Sequence, residues 1–161
     1  MLAIARCLIL IALGVPFSPA LASHAPTLDA TLRQSLVRAQ TAPSRQKRMS
    51  AVRAIFETYC ASGAAERGGV SDETVLRITR AASHANDLAA FFYIRTLGAM
   101  GGRASPALPT LKSGVHTVVD PGRMFGNVEI GAAPPVESVR KAAIDAIENN
   151  RPMSCSLDDE Y

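Results

Sequence analysis

The sequence predicts an all-α protein, and three observations carry that prediction. Apolar residues recur every three to four positions in one segment after another. Ser, Asn, Asp, Gly and Pro stand where such helices would have to start and stop. No run of four or more residues alternates apolar and polar with β-branched enrichment, so sheet content should be negligible. Helices joined by short turns leave two architectures, a helical bundle or a stack of helical hairpins.

The first element is set aside from the fold. Met1 to Arg6 carries one positive charge, Cys7 to Phe17 is an apolar run short for a bilayer, and Ala20-Leu21-Ala22 has small-x-small cleavage character. Residues 1–22 therefore read as a cleaved secretory signal peptide, and Pro16 and Pro19 argue against a continuous membrane helix. Secretion or export to a periplasm follows, with no stable membrane insertion after cleavage. Residues 23–152 are read as one all-α domain with an irregular loop at 120–134, and 153–161 as an acidic tail. Losing Arg6 lowers the formal net charge from +3 to +2, too small a surplus to point to nucleic acid. Only Cys60 and Cys155 survive cleavage. In an oxidising compartment, an even pair without CxxC spacing reads most simply as one disulfide, which would tie the tail to the second helix.

Leu28, Leu32, Leu36 and Ala39 give a helix over 28–40, stopped by Thr41-Ala42-Pro43. Ser44 has the chemistry of an N-cap, and Met49, Val52, Ile55, Phe56 and Tyr59 mark the apolar stripe of a second helix reaching about Ala61. The stretch 64–70, with Gly68-Gly69, reads as a loop. Ser71-Asp72-Glu73 then opens a third helix, whose Val75, Ile78 and Ala82 face its partner. The chain turns around 84–87, and either Asn86 or Asp87 can cap the helix 88–100. That helix is apolar around most of its circumference and should be the most buried element.

Gly101-Gly102 closes it, and Ser105-Pro106 starts the next, running to about Val119; Pro109 distorts the first turn unless the helix begins near Leu108. Asp120-Pro121-Gly122 ends it, and Arg123 to Pro134 shows no periodicity. A last helix follows Pro135, with Val136, Val139, Ala143, Ile144 and Ile147 inward. From Asn149 the chain is polar and expected to be mobile apart from any anchor at Cys155.

The junction Leu97 to Leu111, LGAMGGRASPALPTL, resembles the junction between successive HEAT-like helical repeats of the PBS-lyase type. Val136 to Ile147, VESVRKAAIDAI, resembles the inner helix of such a repeat, and Ser50 to Phe56 is a weaker echo. The resemblance covers roughly 71–149 and implies a short α-solenoid of about three antiparallel hairpins; the alternative is an irregular helical bundle. The link between the last two helices is longer than that family's tight turn. Stacking gives the pattern a physical reason, since each hairpin alone would expose an apolar face.

The chemistry-bearing residues are sparse. His24, His84 and His116 form no HExxH or Cys/His cluster, so no metal and no cofactor is implied. His116 and Asp120 could share a helix face, and Ser113 lies near His116, but no GxSxG elbow supports a nucleophile. Gly98, Gly101 and Gly102 follow a helix rather than a strand, which favours capping over a phosphate cradle. Arg45, Lys47, Arg48 and Arg53, with Phe56 and Tyr59 nearby, form a basic cluster suited to an acidic partner; a solvated helix face is the plainer account.

Phe91-Phe92-Tyr93 belongs to the core, but three consecutive aromatics on a helix should leave one, Tyr93, at a surface or groove. Met124 and Phe125 beside Arg123 place apolar residues in a loop where folding does not require them. Tyr93, Arg123, Met124 and Phe125 are therefore the candidate partner-binding residues. The expected function is a non-enzymatic extracytoplasmic protein-interaction module. The alternatives are an enzyme or accessory subunit with a scattered site around His84, His116 and Asp120, and a structural envelope or stress protein.

Overall fold

The computed structural model describes residues 26–114 and 136–156. The signal-peptide reading of 1–22, the helix end at 115–119, the irregular loop and the acidic end of the tail lie outside these residues. Among the described residues there are seven α-helices, one 3-10 helix and no β-strand, as the periodicity predicts. The helices are α1 (Leu28–Thr41), α2 (Arg45–Ala61), α3 (Ala64–Gly68), α4 (Asp72–Ser83), α5 (Asp87–Met100), α6 (Leu108–Ser113) and α7 (Val136–Glu148), with the 3-10 helix Gly101–Ala107 between α5 and α6.

Caps set the starts. The side chains of Thr27, Ser44, Ser71 and Asn86 accept from the backbone N–H of Ala30, Lys47, Thr74 and Ala89, each satisfying a donor that the first helical turn leaves open. Of the two residues able to cap α5, Asn86 does so.

Packing follows the apolar stripes. α1 lies on α2, α4 on α5 and α6 on α7; α1, α4 and α6 also touch in that order, as do α2, α5 and α7. α5 is thus covered by α2, α4 and α7, and every residue from Phe91 to Met100 is buried. Leu32, Ile55, Val75, Ile78, Ile94 and Leu97 form the centre of the core.

One polar staple ties the first pair to the second. Asp29, almost fully buried, accepts from the backbone N–H and hydroxyl of Ser71 at 2.9 Å each and pairs with Arg33 at 2.8 Å. Burial pushes its carboxyl up, but hydrogen bonds from Thr74 and Ser71 and the Arg33 charge outweigh it and hold the group below its usual value.

Two local expectations are corrected, and one alternative is decided. The stretch 64–70 is not all loop: Ala64–Gly68 forms α3, because the Glu66 carboxylate accepts from the Gly63 N–H at 3.1 Å and fixes a helical start. The junction after α5 is a 3-10 turn through Pro106, and α6 begins at Leu108, the later of the two starts considered. It ends at Ser113, followed by Gly114 at φ +97°.

The second correction concerns the tail, which is held well before and after Cys155. Arg151 N–H donates to Ala146 at 2.9 Å and Met153 N–H to Gly98 at 3.0 Å. Cys60 and Cys155 form a disulfide with Cα atoms 5.6 Å apart. Gly98 and Gly101 allow this approach: a Cβ at Gly98 would collide with the Met153 sulfur, and Gly101, at φ +56°, lies under Pro152.

The tail also covers an arginine that the hydrophobic pattern of α5 did not single out. Arg95 is 1% exposed, and its Nη2 donates to the carbonyls of Ser154 and Ser156 at 2.9 and 2.7 Å. Its guanidinium lies over the rings of Phe56 and Phe91. A charge can be buried here because the returning chain supplies carbonyl oxygens and the aromatic faces supply electron density.

Candidate functional site

The two hairpins α1–α2 and α4–α5 reverse direction at the same end of the molecule, since α1 packs on α4 and α2 on α5. Between their turns lies a cavity of about 400 Å³. The last turn of α1 contributes Ala39 and Gln40, and the start of α2 contributes Arg48 and Val52. The end of α4 and the connection after it contribute Arg80, Ala81, His84, Ala85 and Asn86; the start of α5 contributes Ala89 and Tyr93.

Its floor is apolar and its rim polar. Val52, Ala89 and Tyr93 are buried, whereas Gln40, Arg48, Arg80 and His84 are exposed. Arg80 lies in the last turn of α4, where a cation suits the helix dipole, and His84 is the residue that closes that helix.

Tyr93 is the buried polar group of this site. The three consecutive aromatics all lie inside, at 6%, 9% and 4% exposure for Phe91, Phe92 and Tyr93, although the sequence left one of them, Tyr93, for a surface or groove. The reason is that α5 is enclosed on several sides, so neighbouring side chains each meet a different helix. Tyr93 still reaches a groove, because it lines the cavity. Burial pushes its phenol up to about 12, opposed by the nearby Arg48 charge.

The other sequence candidates disperse. His84 is at the cavity, but His116 and Asp120, with which a scattered site was envisaged, lie outside the described residues, as do His24, Arg123, Met124 and Phe125. Ser113 donates its hydroxyl to the carbonyl of Thr110. The basic cluster of α2 does not act as a unit: Arg53 pairs with Glu57 at 2.6 Å, Phe56 and Tyr59 are core residues, and Arg48 turns to the cavity. Among the described residues no three His, Cys, Asp or Glu side chains are grouped to hold a metal ion, and no helix is long and apolar enough to cross a membrane.

Sequence reasoning did not find Arg80. Its spacing from His84 was available as a signal, but the approach of Arg48 across 32 positions of sequence was not. No protein-family model, curated protein or solved structure matches the chain.

Proposed function

We propose that the chain is a non-enzymatic extracytoplasmic protein-interaction module, a short α-solenoid of three helical hairpins that receives a partner at the cavity between its first two turns. The observation that carries this reading is the cavity: an apolar floor beneath exposed Arg48, Arg80 and His84, open between two hairpin ends. Binding surfaces built from successive hairpin ends are the usual product of stacked helical pairs. The contact order α1–α4–α6 and α2–α5–α7 is the order such a stack would have. The Cys60–Cys155 disulfide suits an oxidising, extracytoplasmic compartment.

Photo-cross-linking tests the proposal. A photo-reactive residue at position 40, on the cavity rim, is expected to give a discrete stoichiometric adduct in extracytoplasmic extract. The same residue at position 142, on the exposed side of α7, should give none. Equal labelling from both positions, or none from either, would remove the cavity as the contact surface.

A further inference from the structure

Most arginines of this chain are committed to partners within it. Arg33 meets Asp29, Arg53 meets Glu57, Arg77 meets Glu73 and Arg140 meets Glu137. Arg67 and Arg103 donate to the carbonyls of Cys60 and Val70. Among the described residues the guanidinium groups of Arg38, Arg48, Arg80 and Arg151 have no carboxylate or carbonyl partner, and of these Arg48 and Arg80 line one cavity, whose described lining holds no Asp or Glu.

The same cavity holds a third donor. The Tyr93 side chain is 4% exposed, yet its hydroxyl has no hydrogen-bond partner among the described residues, and Arg48 is close enough for its charge to act on the phenol oxygen. The hydroxyl is therefore a donor that the chain itself leaves unused at the cavity, and Arg48 and Arg80 add two positive charges to the same lining. One anion can accept from all three. Gln40, His84 and Asn86 complete the polar edge, and Ala39, Ala81, Ala85, Ala89 and Val52 supply an apolar wall beside it.

From this convergence we infer that the cavity is a carboxylate-recognition site, taking an organic acid head on a short apolar body. Arg48 and Arg80 supply planar, charge-assisted donors matched to a carboxylate, and the Tyr93 O–H supplies a neutral third. Apolar walls favour an organic body over an inorganic anion. The carboxylate belongs either to the chain end of a partner protein or to a free small acid; the recognition chemistry is the same. This inference rests on the cavity being the binding site in the proposed function.

The test uses the disulfide-bonded chain and four probes: hexanoate, N-acetyl-alanyl-leucine, the C-terminal amide of that dipeptide, and inorganic phosphate. Saturable amide shifts at Ala85, Asn86 and Ala89 are expected with the two acids and not with the amide. Tighter binding of the acidic dipeptide assigns a partner's chain end, and tighter binding of hexanoate a free small acid. Arg48→Gln and Arg80→Gln should each weaken the preferred acid by about tenfold, and Tyr93→Phe by severalfold. All three variants should keep the wild-type helical circular dichroism, since two change exposed side chains and the third removes only an oxygen.

Absence of saturable binding by either acid overturns the inference, as does binding that persists unchanged in the Arg48→Gln, Arg80→Gln double variant. Phosphate binding without acid binding overturns the carboxylate assignment. The two readings fail separately: cross-linking from position 40 without acid binding removes the carboxylate site and keeps the interaction surface, and the opposite result removes the protein partner and keeps the site.

Discussion

Two faces of α5 bury polar side chains in opposite ways. On one, Arg95 is enclosed by Phe56, Phe91 and the returning tail, whose carbonyl oxygens accept hydrogen bonds from it. On the other, two positions earlier, Tyr93 is buried but lines a cavity, and its hydroxyl has no hydrogen-bond partner among the described residues. One face spends its polar groups on holding the fold. The other leaves them available, and the difference separates what is structural in this helix from what can bind.

The largest effect should come from breaking the closed face. Replacing both Cys60 and Cys155 by Ser opens a 95-residue loop in the unfolded chain and should lower stability by about 4.7 kcal/mol in the chain-entropy model. Denaturant unfolding measures this directly. An unchanged midpoint would mean that the tail is held by its backbone and arginine contacts alone.

Next in size is Arg95→Ala. It removes the donor to Ser154 and Ser156 and leaves space between two aromatic rings, and should cost about 3 kcal/mol. Hydrogen exchange at Met153, whose N–H is bonded to Gly98, should accelerate in the same variant. If that amide stays protected, the tail is not held through Arg95.

The smallest effect at neutral pH belongs to the open face. Tyr93→Phe removes a hydroxyl that has no hydrogen-bond partner, so stability should change by less than about 0.5 kcal/mol. Alkaline titration separates the two proteins more widely. With the folded phenol at about 12 and its ordinary value at 10.0, the unfolded chain loses its proton first as pH rises. Wild-type stability is therefore full below pH 10.0 and falls as pH approaches 12, by roughly 2 kcal/mol from this group, a loss that Tyr93→Phe should lack. Identical alkaline profiles would place the phenol in water and end the contrast between the two sites.

Much of the fold was legible because it rests on local physics. Ser44, Ser71 and Asn86 cap helices by bonding residues three positions on, and Val75, Ile78 and Ala82 share a face because of the helical period. The disulfide was legible by elimination on the reading that sets residues 1–22, and Cys7 with them, apart from the fold. α3 was missed because its start depends on one reciprocal contact from Glu66, made within a stretch whose glycines read as a loop. Less of the candidate site could be read. Tyr93 and His84 were singled out for composition and position, but nothing local connects Arg48 to Arg80.

The sequence by itself determined the all-α class, the starts of α2, α4 and α5 and the depth of α5, since periodicity and capping act over three or four residues. Only the tertiary structure decided that the tail would close over Arg95, and that two turns 42 residues apart in the chain would bring Arg48, Arg80 and Tyr93 to one cavity. Those outcomes depend on which helix faces meet, and the energy that selects them comes from burying whole stripes rather than from any single residue.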